Sequence, residues 1–111
     1  MKIIKLENGN VCMTLTEKED VLKMRLNDED TLAEKHVPEY TRLSDKIEVR
    51  VPHVMEEEHY IEWLVIDYGT SQIITHFKPL EEAKVVVDYQ EGMKAYSYCN
   101  KHGLWIKENM N

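Results

Sequence analysis

The stretch Lys46-Ile47-Glu48-Val49-Arg50-Val51 alternates charged and apolar side chains without a break, and that period of two puts Ile47, Val49 and Val51 on one face of an extended strand. Outward from it, residues 60–68 are dense in aromatic and β-branched side chains, and residues 72–77, 84–89 and 93–98 have the same character. Turn residues separate these runs: Asn8-Gly9, Tyr68-Gly69-Thr70-Ser71, Lys78-Pro79-Leu80 and Glu91-Gly92. Short strands at regular spacing predict an all-β chain folded as an antiparallel β-sandwich. No long helix is expected, because Leu32 to Lys35 is stopped by Pro38 and Met55 to His59 supports at most one or two turns.

The chain has 111 residues, the size of one domain with a real core. Asp and Glu number 21 against 14 Lys and Arg, a formal net charge of -7 that repels nucleic acid and anionic membrane surfaces. The N-terminal Met1-Lys2-Ile3-Ile4-Lys5 turns polar at Glu7-Asn8-Gly9, too early for a secretory signal, and no run approaches membrane-spanning length. Two distant cysteines do not make a disulfide framework, so a cytoplasmic, reducing setting is expected. Residues 1–30 differ from the sandwich proper at 31–111. Residues 2–6 and 11–15 predict a hairpin about Asn8-Gly9, Leu22, Met24 and Leu26 alternate with Lys23 and Arg25, and Asn27-Asp28-Glu29-Asp30 is an acidic connector. This reads as a short N-terminal appendage plus linker. Cys12 there has no second cysteine nearby, which excludes a four-thiolate iron centre, and it is expected to be a small half-buried apolar residue.

The chemistry concentrates elsewhere. Cys99-Asn100-Lys101-His102-Gly103 puts a thiol and an imidazole three positions apart, Pro52-His53 and Glu58-His59 supply two more imidazoles, and Glu34-Lys35-His36-Val37-Pro38 a fourth. Distant loops contributing thiolate and imidazole are how a β protein assembles a transition-metal site. His76, inside an apparent strand, is set aside as an ordinary histidine, and Trp63, Trp105, Tyr60, Tyr96 and Tyr98 are expected in the core. Four imidazoles and one thiolate exceed what a closed tetrahedral zinc site takes and suit a square-pyramidal iron with one open position. Blue copper is the main rival, but Lys107 stands where its axial methionine is wanted and Met110 comes late. Zinc is the third option. Pro38 and Pro52, beside ligands, are expected to stiffen their loops.

EKHVP at Glu34 to Pro38, PHVMEEEHYIEW at Pro52 to Trp63 and CNKHGLW at Cys99 to Trp105 together resemble superoxide reductase, the iron-binding domain of neelaredoxin and desulfoferrodoxin. The three motifs follow in family order over residues 33–105. The resemblance implies an immunoglobulin-like sandwich holding one mononuclear non-haem iron, with His36, His53, His59 and His102 as equatorial ligands and Cys99 as the axial thiolate. It implies one-electron reduction of superoxide to hydrogen peroxide, with re-reduction by a donor such as rubredoxin. An electron-transfer protein without turnover, of cupredoxin-like or iron type, is the alternative. Lys35 resembles the family lysine that attracts the anionic substrate, and Glu34 the carboxylate that serves as sixth ligand in the ferric state. Backbone amides of Asn100 and Lys101 are candidates to hydrogen-bond the Cys99 sulfur. The N-terminal segment departs from the two-iron relatives and resembles a degenerate, metal-free remnant of their four-cysteine domain. One iron per chain is therefore expected, in a homo-oligomer, dimer or tetramer.

Overall fold

The fold is taken from a computed structural model, which describes residues 2–5, 8, 10–14 and 33–110. Among the described residues, nine strands and one helical turn follow in the order β1 (Lys2–Lys5), β2 (Val11–Thr14), α1 (Ala33–His36), β3 (Glu39–Leu43), β4 (Lys46–Arg50), β5 (Ile61–Asp67), β6 (Gln72–His76), β7 (Lys84–Asp88), β8 (Lys94–Cys99) and β9 (Gly103–Lys107). All pairings are antiparallel, in a three-stranded sheet β3-β4-β7, a four-stranded sheet β6-β5-β8-β9 and the hairpin β1-β2. The architecture is the expected all-β, immunoglobulin-like sandwich. Relative to a constant-type immunoglobulin domain, its fourth strand β6 pairs with β5 instead of joining the first sheet.

The alternation that decided the reading is realised on β4. Ile47 and Val49 are wholly buried while Lys46 is exposed, and the inner faces of the two sheets meet in a core that adds Val51, Ile61, Leu64, Ile66, Phe77, Met93 and Ala95. Strand β5 is buried on both faces, which is why its apolar residues run on without alternation. Its Val65 points away from the main core and forms a second cluster with Tyr96 and Leu104, against which Ile3 and Met13 of the N-terminal hairpin pack. The hairpin thus covers the outer face of the four-stranded sheet, where Trp63 and Tyr98 also stack, ring centroids 5.2 Å apart. Residues 15–32, including the Leu22-Met24-Leu26 alternation and the acidic connector, lie outside the described residues.

The turns expected at 68–71, 78–80 and 91–92 form, while Gly9 of the expected Asn8-Gly9 turn lies outside the described residues. Gly69 takes φ +90°, its N–H donates to the buried Asp67 carboxylate at 2.8 Å, and Tyr68 N–H closes onto Ser71 O. Lys46 and Asp88, direct partners across β4 and β7, form an ion pair. Two strands escape the sequence reading. β3 is mostly exposed and shows no clean alternation, and β9 is a five-residue run opening on a glycine. Residues 55–59 are a tight β-turn instead of a helical turn: Glu56 and His59 exchange both backbone hydrogen bonds, at 3.0 and 3.2 Å, which leaves Glu57 and Glu58 exposed at the tip. Among the described residues no helix is long and apolar enough to cross a membrane.

Leu64 is fully buried between the sheets, whereas Ile74 on edge strand β6 is half exposed. Leu64→Ala is expected to cost about 2–5 kcal/mol in urea unfolding and Ile74→Ala within about 0.5 kcal/mol; equal effects would refute the assignment of the inner face.

Candidate metal centre

Three irregular segments and one strand end converge at one end of the sandwich. His36 is the last residue of α1, just before the buried Pro38. Beyond β4 the ladder continues with Val51 N–H to Ala83 O, and His53 N–H then turns back to Val51 O at 2.8 Å, a three-residue turn about Pro52 whose fixed φ suits it. His59 closes the 56–59 turn, Cys99 ends β8, and His102 sits in the short connection to β9, where Gly103 takes φ +83° opposite Cys99. A register shift between Ile61 and Trp63 distorts the β5–β8 ladder beside Cys99, as bulges next to sites commonly do.

The five side chains meet. One ligand atom from each of His36, His53, His59, Cys99 and His102 lies within 4.8 Å of all the others. His36 Nε2 is 3.2 Å and His59 Nε2 3.3 Å from His102 Nδ1, and Cys99 Sγ is 3.6 Å from His53 Nε2 and 3.8 Å from His102 Nδ1. His102 turns its near ring nitrogen inward because it is only three residues from Cys99; the other three reach with Nε2. The rings meet edge to face in a closed cycle, His36 to His53 at 4.6 Å, His53 to His59 at 4.6 Å, His59 to His102 at 5.0 Å and His102 to His36 at 4.9 Å between centroids. Metal bonds to nitrogen and sulfur are about 2.0–2.3 Å, which puts donors on opposite sides of one ion roughly 4–4.6 Å apart and neighbouring donors about 3 Å apart. The observed spacings fit a single ion inside the ring of imidazoles with the thiol to one side.

The electrostatics agree. Burial holds the His53 imidazole below its ordinary pKa despite a raising hydrogen bond to Val54 O, and the neighbouring histidines lower it further. Burial likewise lowers His59, helped by His102 and the Lys101 cation and opposed by Glu56. Neutral rings are what metal ligation requires. His53 Nδ1 contacts Val54 O at 2.5 Å, an arrangement that leaves Nε2 with its lone pair toward the thiol. His36 and Cys99 are buried; His53 and His59 are partly exposed.

Of the other candidates, Lys35 is exposed immediately before His36, and the Glu34 side chain lies outside the described residues although its backbone belongs to α1. The cluster does not include His76, which is exposed on β6. Cys12 is a free thiol on β2, half-buried. The Asn100 amide was a candidate donor to sulfur, but its N–H donates to Tyr60 O at 3.2 Å. Its side chain does more: Oδ1 accepts from Tyr60 N–H at 3.0 Å and Nδ2 donates to Glu58 O at 2.9 Å, which ties the His59 loop to the turn carrying Cys99 and His102. That role was missed because its partners are backbone groups some forty residues away, with no local signal.

Fold and site together define a β-sandwich protein with a His/Cys cluster able to hold a metal ion at one end. The desulfoferrodoxin family model matches residues 28–108, so the chain belongs to the desulfoferrodoxin family. A desulfoferrodoxin of Desulfarculus baarsii is 33% identical over 112 residues, covering 96% of this chain and 88% of the relative. A superoxide reductase of Pyrococcus horikoshii is 33% identical over 111 residues, covering 79% of this chain and 96% of the relative. The crystal structure of the superoxide reductase from Treponema pallidum has a similar fold, TM-score 0.69 at 20% identity, covering 96% of this chain and 99% of that one.

Asn100→Ala removes both side-chain ties to the His59 loop. Metal affinity is expected to fall about 10- to 100-fold in chelator competition, with the unfolding midpoint of the metal-free protein changing little; unchanged affinity would show that the loop holds its place without Asn100.

Proposed function

We propose that the chain is a superoxide reductase whose iron is held by His36, His53, His59 and His102 around it and by Cys99 on one side, one iron per chain. The single observation that carries the reading is the closed cycle of four imidazoles with the thiol beside it. Five donors exceed the four that a closed zinc site uses, and a metal held by them would still be able to take a small anion. Imidazole and thiolate together are a donor set that iron accepts. The name borne by the Pyrococcus horikoshii relative supports the same activity.

When bound, iron supplies the one electron that, with two protons, takes superoxide to hydrogen peroxide, and an external donor of rubredoxin type restores it. The chain's own residues do the rest. Cys99, buried and deprotonated on ligation, is the strongest electron donor of the set and raises the negative charge at the centre, which favours loss of an anionic product. Neutral imidazoles, the form in which histidine ligates a metal, add no charge of their own. Lys35, exposed beside His36, and Lys101, beside His102 and acting electrostatically on His59, put cations at the rim of an otherwise acidic protein and draw in the anion. Glu34, on α1 two residues before His36, would supply an exchangeable carboxylate ligand to the metal. Residues 1–30 are read as a metal-free remnant of a desulforedoxin-like domain, since Cys12 stands alone there. Two free thiols suit the cytoplasm, and a dimer or tetramer is the expected assembly.

The test is to mix the reduced, iron-loaded protein with superoxide and follow the products. One hydrogen peroxide per superoxide, without dioxygen, is expected. Dioxygen release would indicate dismutation, and no consumption would leave a plain electron carrier; either rejects the reading. In the same assay Lys35→Ala should slow the bimolecular step by about tenfold at low salt and flatten its ionic-strength dependence; an unaltered rate removes Lys35 from the mechanism.

A further inference from the structure

Four of the five cluster residues sit on or between strands of the sandwich. His36 alone is carried by α1, four residues long, and a single helical turn has too few internal hydrogen bonds to hold itself. Something outside α1 must fix it. Strand β8 supplies one contact: Ser97, wholly buried, donates its Oγ–H to the His36 backbone carbonyl at 2.5 Å. That carbonyl is one of the groups a helix leaves unpaired at its C-terminal end, so the hydroxyl satisfies a buried acceptor that α1 itself cannot. Strand β9 supplies another: the Trp105 indole lies flat on the His36 imidazole, centroids 4.7 Å apart and planes 18° from parallel.

Ser97 and Trp105 are direct partners across β8 and β9, so both side chains leave the same face of the sheet next to each other. Cys99 is two residues beyond Ser97 and projects from that face too. One strand therefore delivers the thiol and the anchor of the imidazole from α1. The Trp105 Nε1–H is buried and, among the described residues, has no hydrogen-bond partner. Such a group is costly, and a phenyl ring would avoid the cost. What the indole adds is its broader face, and that face is spent on His36.

We propose that Ser97 and Trp105 act as a pair of positioning residues for His36, Ser97 fixing the backbone at the end of α1 and Trp105 fixing the plane of the ring, so that together they set metal affinity and the symmetry of the centre. This rests on the reading of the cluster as an iron site. Neither side chain touches the metal or the substrate. The effect reaches the centre through the orientation of one ligand.

The experiment uses the full chain and compares Ser97→Ala, Ser97→Thr and Trp105→Leu with the unaltered protein. Iron affinity is measured by chelator competition, and at saturating iron the oxidised proteins are compared by visible and electron paramagnetic resonance spectra. Ser97→Ala should weaken iron binding about tenfold or more and change the resonance pattern even when every site is filled, and Ser97→Thr should restore both. Trp105→Leu should alter the spectrum in the same sense; where it fails to fold, the Ser97 pair decides. Affinity and spectra of Ser97→Ala equal to those of the unaltered protein, or a Thr variant no better than Ala, would overturn the proposal while leaving the iron site intact. An unaltered protein that takes up no iron would overturn the site reading, and this proposal with it.

Discussion

Everything in this molecule turns on holding four imidazole nitrogens and one sulfur within 4.8 Å of each other, with no carboxylate in the group among the described residues. Without a cation, such an arrangement is unfavourable: the donors repel and are partly removed from water, which is why His53 and His59 resist protonation. The scaffold must therefore impose it. The sandwich does so by using the end of one central strand as the fixed point. Cys99 terminates β8, which pairs on both sides; Asn100 ties the 58–60 backbone to the β8–β9 connection, and Ser97 ties the end of α1 to β8 itself.

That arrangement also explains the division of the hydrophobic residues. The main core lies between the sheets, and a second cluster on the far side of the four-stranded sheet buries Val65, Tyr96 and Leu104 under the N-terminal hairpin. Strands β5 and β8 lie between two apolar layers, and the thiol is placed at the end of β8. The charges follow a different rule. The chain is acidic overall, yet Lys35 and Lys101 each adjoin a histidine of the cluster in sequence, while Glu58 adjoins His59.

Much of this was legible in the sequence where side-chain period and chemistry coincide. KIEVRV gave a half-buried strand, and β5 to β8 followed from their composition and the turns between them. The five cluster residues stood out because cysteine and histidine at short spacing, repeated in separate motifs, have few other uses. What stayed hidden depends on partners remote in sequence. β3 carries one half-buried side chain in five and so has no pattern, and the 56–59 turn replaced a helical turn because backbone pairing outweighed the propensity of its glutamates. Ser97 read as one more small residue in a strand, since its hydroxyl finds a carbonyl sixty-one positions away, and Trp105 read as core, which it is, without a hint that the surface it covers is an imidazole.

The central claim is that these five side chains converge on one metal ion. X-ray absorption at the iron edge of the reduced, iron-loaded protein examines it most directly. One sulfur and four imidazole nitrogens around a single iron, with no second metal nearby, is the result the structure predicts. An iron without sulfur, or with four or fewer protein ligands drawn from elsewhere, would contradict it.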